Sequence, residues 1–121
     1  MKYYADAHCD RPMLEKEGCF SWKDALQYEG FLQYFACWIE PGKYEDDFQV
    51  LLDMIHRWKS QREFASVMVT TKEELNARKK RPAGLLAVEG ADALHGKLER
   101  LHTLWQEGVR AITLTWNTEN E

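Results

Sequence analysis

Ala5-Asp6-Ala7-His8-Cys9-Asp10 is the stretch whose reading decides the fold. It runs into Arg11-Pro12, and proline cannot donate to a sheet ladder, so residues 5–10 read as a first β-strand that Pro12 closes. Successive strand side chains leave on opposite faces, so His8 and Asp10 emerge on one side, roughly 7 Å apart at about 3.3 Å per residue. Cys9 then points away from both. An imidazole beside a carboxylate is a candidate metal-binding pair, although a histidine hydrogen-bonded to a neighbouring acid has the same spacing. Far downstream, Leu85-Leu86-Ala87-Val88-Glu89-Gly90 sets a carboxylate and a glycine after an apolar run, the pattern of an acid at the mouth of a buried parallel strand. Glu89 is therefore a third candidate ligand. Taken alone it reads equally well as a loop carboxylate or a first-turn helix acid.

Between and beyond these two stretches, strand and helix patterns alternate. Residues 13–30 read as a loop with a short helix, Ser21 capping Trp22 to Leu26 and Gly30 as the stop. Phe31 to Ile39 is aromatic and apolar throughout, a second buried strand before the turn signal Pro41-Gly42. From Glu45 to about Phe64, Phe48, Leu51, Leu52, Ile55 and Trp58 recur at helical spacing, predicting an amphipathic helix. Ser66 to Thr70 is short and β-prone. Thr71-Lys72-Glu73-Glu74 has capping-box form, and the basic run Arg78-Lys79-Lys80-Arg81 suits a helix C-terminus. A third strand is expected at Ala83–Val88. The next helix, about Lys97 to Glu107, is expected to bury Leu98, Leu101, Leu104 and Trp105 and to stop at Gly108, with a fourth strand at Ala111–Thr115. The polar residues from Trp116 to Glu121 read as a strand-to-helix loop.

Mostly apolar strands separated by helical crossovers predict an α/β fold, a parallel sheet with helices packed over it. A closed parallel barrel needs eight such units in about 250 residues. Residues 1–121 supply about half of them.

Composition narrows the function. The 121 residues are 45% hydrophobic and 30% charged, ordinary values for a globular domain. With 16 Lys and Arg against 20 Asp and Glu, the net charge of −4 leaves no basic field for a phosphate backbone, so nucleic acid is not an expected partner. Neither a signal core nor an uninterrupted apolar run of about 18 residues occurs, which makes the expected location cytoplasmic, without a membrane partner. Cys9, Cys19 and Cys37 are an odd count without CxxC spacing, against both a disulfide framework and a thiolate zinc site.

Asp6-Ala7-His8-Cys9-Asp10, the step Val88-Glu89-Gly90, and the run from Glu89 through Leu98, Leu101, Leu104, Gly108, Val109 and Arg110 to Thr113-Leu114-Thr115 resemble the amino-terminal half of the membrane (renal-type) dipeptidases, peptidase family M19. The resemblance implies a (β/α)8 TIM barrel of the metallo-dependent hydrolase type, with residues 1–121 the amino-terminal half of that single domain. It implies zinc-dependent hydrolysis of dipeptides by a hydroxide held between two Zn2+ ions. His8 and Asp10 would ligate one ion and Glu89 would bridge both, acting in catalysis as well, with the remaining ligands later in the barrel. Where many relatives have a histidine near the scissile bond after Thr-Leu-Thr, this chain has Trp116, so that role does not transfer. Trp116 is instead expected to line the substrate cleft.

The remaining residues of these types have plainer readings. His95 follows Glu89 as a solvated or capping residue, and His56 and His102 flank their helices' apolar stripes. Trp22, Trp38, Trp58 and Trp105 read as packing. Two other classes stay open, another amidohydrolase-like metal hydrolase and a non-catalytic chain. An open parallel sheet needs its edges covered, so a homo-oligomer or pairing with the rest of the barrel is expected.

Overall fold

The computed structural model describes residues 3–14, 21–117 and 119. Residues 15–20, Cys19 among them, fall in the expected first loop and lie outside the described residues, as does most of the polar stretch after Asn117. Four strands, β1 (Tyr3–Asp6), β2 (Gly30–Cys37), β3 (Ala83–Val88) and β4 (Val109–Ile112), form an all-parallel sheet in the order β1-β2-β3-β4. Helices occupy every crossover. They are α1 (Arg11–Leu14) and α2 (Trp22–Ala25) after β1, α3 (Asp47–Ser60), α4 (Arg62–Ala65) and α5 (Lys72–Ala77) after β2, and α6 (Leu98–Gln106) after β3. Parallel neighbours joined through helices are the β/α repeat expected from the alternation.

Register decides what each face does. Phe35 pairs with Leu86 and Cys37 with Val88, so these four share a face, and each is at most 2% exposed. Against them pack Leu51, Ile55 and Trp58 of α3 and Phe64 of α4. Burial pushes the Cys37 thiol up to about 12, an inert core group. On the opposite face Leu32, Tyr34, Leu85 and Ala87 stay half-buried.

Several elements depart from the sequence expectation. The helix expected to run to Phe64 breaks at Gln61, whose backbone is extended (φ −74°, ψ 117°), and restarts as α4. The break swings Phe64 inward to stack on Trp58, ring centroids 3.5 Å apart. β1 ends at Asp6 rather than Asp10, because the Asp6 carboxylate takes the His8 backbone N–H (3.1 Å) and draws the chain out of the ladder. Arg11 and Pro12 then begin a helical turn rather than merely closing a strand. Gly30 opens β2 instead of stopping a helix. β4 comes two residues early, at Val109, since Gly108 at φ +97° ends α6 and turns the chain straight into the sheet.

α6 is the largest correction. Of the residues expected to be buried only Leu104 is (1% exposed), while Leu98, Leu101 and Trp105 are 78%, 40% and 57% exposed. The helix lies beside β4, the last strand of the sheet, so half of its apolar stripe faces outward. The Arg110 guanidinium, 3.7 Å from the Trp105 ring, covers part of that surface.

Other local readings hold. Thr71 and Glu74 form the reciprocal capping box of α5. Met68 bridges Gly84 within the β-prone segment 66–70. Arg78 donates to the carbonyls of Pro82 (2.6 Å) and Ser66 (2.9 Å), so the basic run begins with a structural clamp. Among the described residues no helix is long and apolar enough to cross a membrane.

Candidate metal centre

In an all-parallel sheet every strand delivers its carboxyl end to the same rim, and here that rim collects the chemistry. β1 leads into His8, Cys9 and Asp10, β2 into Trp38, β3 into Glu89, and β4 into Thr113 and Trp116. The loop after β1 stays close to β2, because the Ala36 backbone N–H donates to the Cys9 carbonyl (2.9 Å). Cys9 turns into the core at 7% exposure. His8 and Asp10, on either side of it, keep side chains 50% and 37% exposed. The imidazole and the carboxylate thus share a side opposite the thiol, as the spacing predicts, although they stand in a loop.

Glu89 is held as firmly. Its N–H continues the ladder to the Cys37 carbonyl (3.0 Å), and the Gly90 N–H donates to the Thr113 hydroxyl (2.8 Å). Gly90 sits at φ +84°, and a Cβ there would meet Asp92 Oδ2 at 2.6 Å, so only glycine lets the chain turn off the rim directly after the carboxylate. The Glu89 side chain is 19% exposed.

These constraints bring the three sequence-predicted groups together. His8 Nε2 lies 3.0 Å from Asp10 Oδ1 and 3.7 Å from Glu89 Oε2, and one donor atom from each residue falls within 4.8 Å of the others. One neutral-capable nitrogen between two carboxylates is a donor set suited to a divalent cation of borderline hardness. The residues present therefore fit a metal ion.

Two tryptophans complete the rim. The Trp38 indole N–H donates to Asp10 Oδ1 (3.2 Å), and its ring lies 5.5 Å from that of Trp116, inclined at 34°. Trp116 is 43% exposed, where a substrate could touch it. The sequence reading that made Trp38 simple packing is corrected here. Its signal is register: it stands one step past the Cys37–Val88 pair, beside Glu89. Asp47, 4% exposed, is a second residue that the sequence conceals. It accepts from the backbone N–H groups of Gly42 (3.0 Å) and Tyr44 (3.2 Å), fixing the loop after β2. His95 is a capping residue of left-handed conformation, and the exposed His56 and His102 stay on their helix flanks.

The sequence pattern of the membrane dipeptidase family (peptidase family M19) matches residues 5–121. The chain belongs to family M19. Solved structures give a matching fold. They include the dipeptidase AC, a metallopeptidase of family M19 (19% identity, TM-score 0.68, 98% of this chain and 44% of that one). An amidohydrolase from Pseudomonas aeruginosa shares 15% identity (TM-score 0.68, 98% and 35%). A metallopeptidase from Rhodobacter sphaeroides, liganded with a phosphinate mimic of the dipeptide L-Ala-D-Ala, shares 16% (TM-score 0.69, 98% and 46%). This M19 chain thus spans between about a third and a half of the length of these structures. No curated protein matches it. Membership in a metallopeptidase family implies a metal cofactor.

Proposed function

We propose that this M19 chain carries the first ligands of a binuclear zinc dipeptidase, with His8 and Asp10 on one ion and Glu89 shared between two. The observation that carries the reading is the convergence of donor atoms from the ends of two strands to within 4.8 Å of one another. Zinc bound by such ligands activates water and polarises a peptide carbonyl. The chain's own contribution is placement. Gly90 and the Cys37 carbonyl hold Glu89 at the rim, the Cys9–Ala36 bond holds the loop bearing His8 and Asp10, and Trp116 offers an apolar wall to a dipeptide. Stoichiometric zinc retention by the purified chain, lost in His8→Ala and in Glu89→Gln, is the expected result. Retention unchanged in both variants would overturn the assignment.

The exposed apolar residues of α6 and the open edge of β4 support a second part of this reading. In the working enzyme further β/α units pack on that flank, and the relatives' greater length leaves room for them. Self-association of the chain is the alternative, and the mass of the purified chain by light scattering separates the two. The likeness to an amidohydrolase at the same TM-score favours one competing activity, hydrolysis of other amides. Assay of the complete enzyme against dipeptides and N-acyl amino acids distinguishes them, dipeptides being the expected substrates.

A further inference from the structure

We propose that Trp38 is a positioning residue of the metal centre, its indole N–H holding the Asp10 carboxylate in the orientation that receives the ion. The inference rests on the metal reading of His8, Asp10 and Glu89. Asp10 Oδ1 is approached by two nitrogens, His8 Nε2 at 3.0 Å and Trp38 Nε1 at 3.2 Å. These differ in kind. An imidazole nitrogen that becomes a ligand can no longer donate to Asp10, whereas an indole nitrogen is a donor only and never competes for the ion.

Of the two contacts on Asp10, only the one from Trp38 survives metal binding. Asp10 is more than a third exposed, in a loop beyond the end of β1, so without a partner its carboxylate is free to turn toward solvent. Trp38 is the better-anchored partner. It follows Cys37 (0% exposed) and precedes Ile39 (7%), which fix the backbone on both sides, and its ring lies against Trp116 at 5.5 Å. Partners that orient a ligand in this way are typically worth about 10–100-fold in metal affinity.

Zinc affinity of the 121-residue chain, read by competition with a chromophoric chelator, is the test. Trp38→Phe keeps an aromatic ring against Trp116 and removes the N–H, so it is expected to bind zinc about 10–100-fold more weakly. Trp105→Phe, on the outer side of α6, is expected to match the parent. Nitrogen-15 spectra of the metal-free chain supply a readout that a packing role would not move: the Trp38 indole N–H resonance shifts in Asp10→Ala while the other indole signals stay. A parent chain that binds no zinc overturns the metal reading itself. If the parent binds and Trp38→Phe matches it within about twofold, the role of Trp38 alone is overturned. Weaker binding in Trp38→Phe together with an indole signal indifferent to Asp10→Ala overturns it too, because the effect would then not pass through Asp10.

Discussion

α3 and α6 carry the same kind of apolar stripe, yet they meet different fates. α3 lies over the middle of the sheet and buries Leu51, Ile55 and Trp58 to 3% exposure or less, whereas α6 lies beside the terminal strand and buries Leu104 alone. Periodicity therefore reports which face of a helix is apolar, not whether anything lies against it. Position in the sheet decides the second question. The largest test of this contrast is a pair of truncations. Phe64→Ala, emptying a fully buried site between Trp58, Phe35 and Trp22, is expected to cost about 3–5 kcal/mol, and Trp105→Ala less than about 1 kcal/mol. Urea denaturation of both variants measures the difference, and equal losses would mean that α6 packs as tightly as α3.

Gly84 sharpens the picture of the covered face. A Cβ there would lie 2.9 Å from the Phe35 ring and 3.0 Å from Met68 Sδ, so Gly84→Ala is expected to destabilise by about 1–3 kcal/mol through overpacking. A melting temperature equal to the parent's would show that the Phe35 ring and Met68 yield freely. Both neighbours belong to the face under α3 and α4, where the interior is too dense to give without loss.

Such long-range facts mark the limit of what the sequence displays. β3 is legible to the residue because Pro82 and Gly90 bracket it, and the capping box of α5 is legible because its partners are three residues apart. β1 and β4 are misread at their ends. Asp6 and Gly108 act through a side-chain hydrogen bond and a positive φ that hydrophobic periodicity does not encode. The site divides in the same way. His8 and Asp10 can be paired from spacing, but the approach of Glu89 follows from the β1-β2-β3 order and its register. Trp38 is hidden because it ends an uninterrupted apolar run, and only its place beside Glu89 separates it from the core.

One ion pair joins the two helices being compared. Lys59, near the end of α3, donates to both the carboxylate (2.7 Å) and the backbone carbonyl (2.8 Å) of Glu107, which caps α6, and His56 Nε2 lies 3.1 Å from the same carboxylate. The Lys59 hydrogen bond holds the Glu107 carboxyl below its ordinary value of 4.5. A lowered folded pKa means that the carboxylate's contribution is present above the unfolded pKa and is lost as pH falls through the folded one. Stability should drain over that acid window, by about 0.2–1 kcal/mol for a pair of this partly exposed kind. Melting temperatures measured from neutral pH downward should fall less steeply in Glu107→Gln than in the parent. Parallel curves would remove the pair as a link between the flanks.

The smallest expected change in stability, and the sharpest test of the uncovered flank, is Leu98→Glu. Leu98 opens α6 at 78% exposure, so the substitution removes almost no packing, and an acid in a first helical turn interacts favourably with the helix dipole. Stability should therefore stay within about 0.5 kcal/mol of the parent. Association is where the change would appear. If copies of the chain cover one another's α6 stripe, a charge set among Leu98, Leu101 and Trp105 must be desolvated in the contact, and light scattering should show the parent larger than the variant. A parent and variant of equal monomeric mass would mean that this stripe does not bring copies together, and would leave further β/α units as its proposed cover.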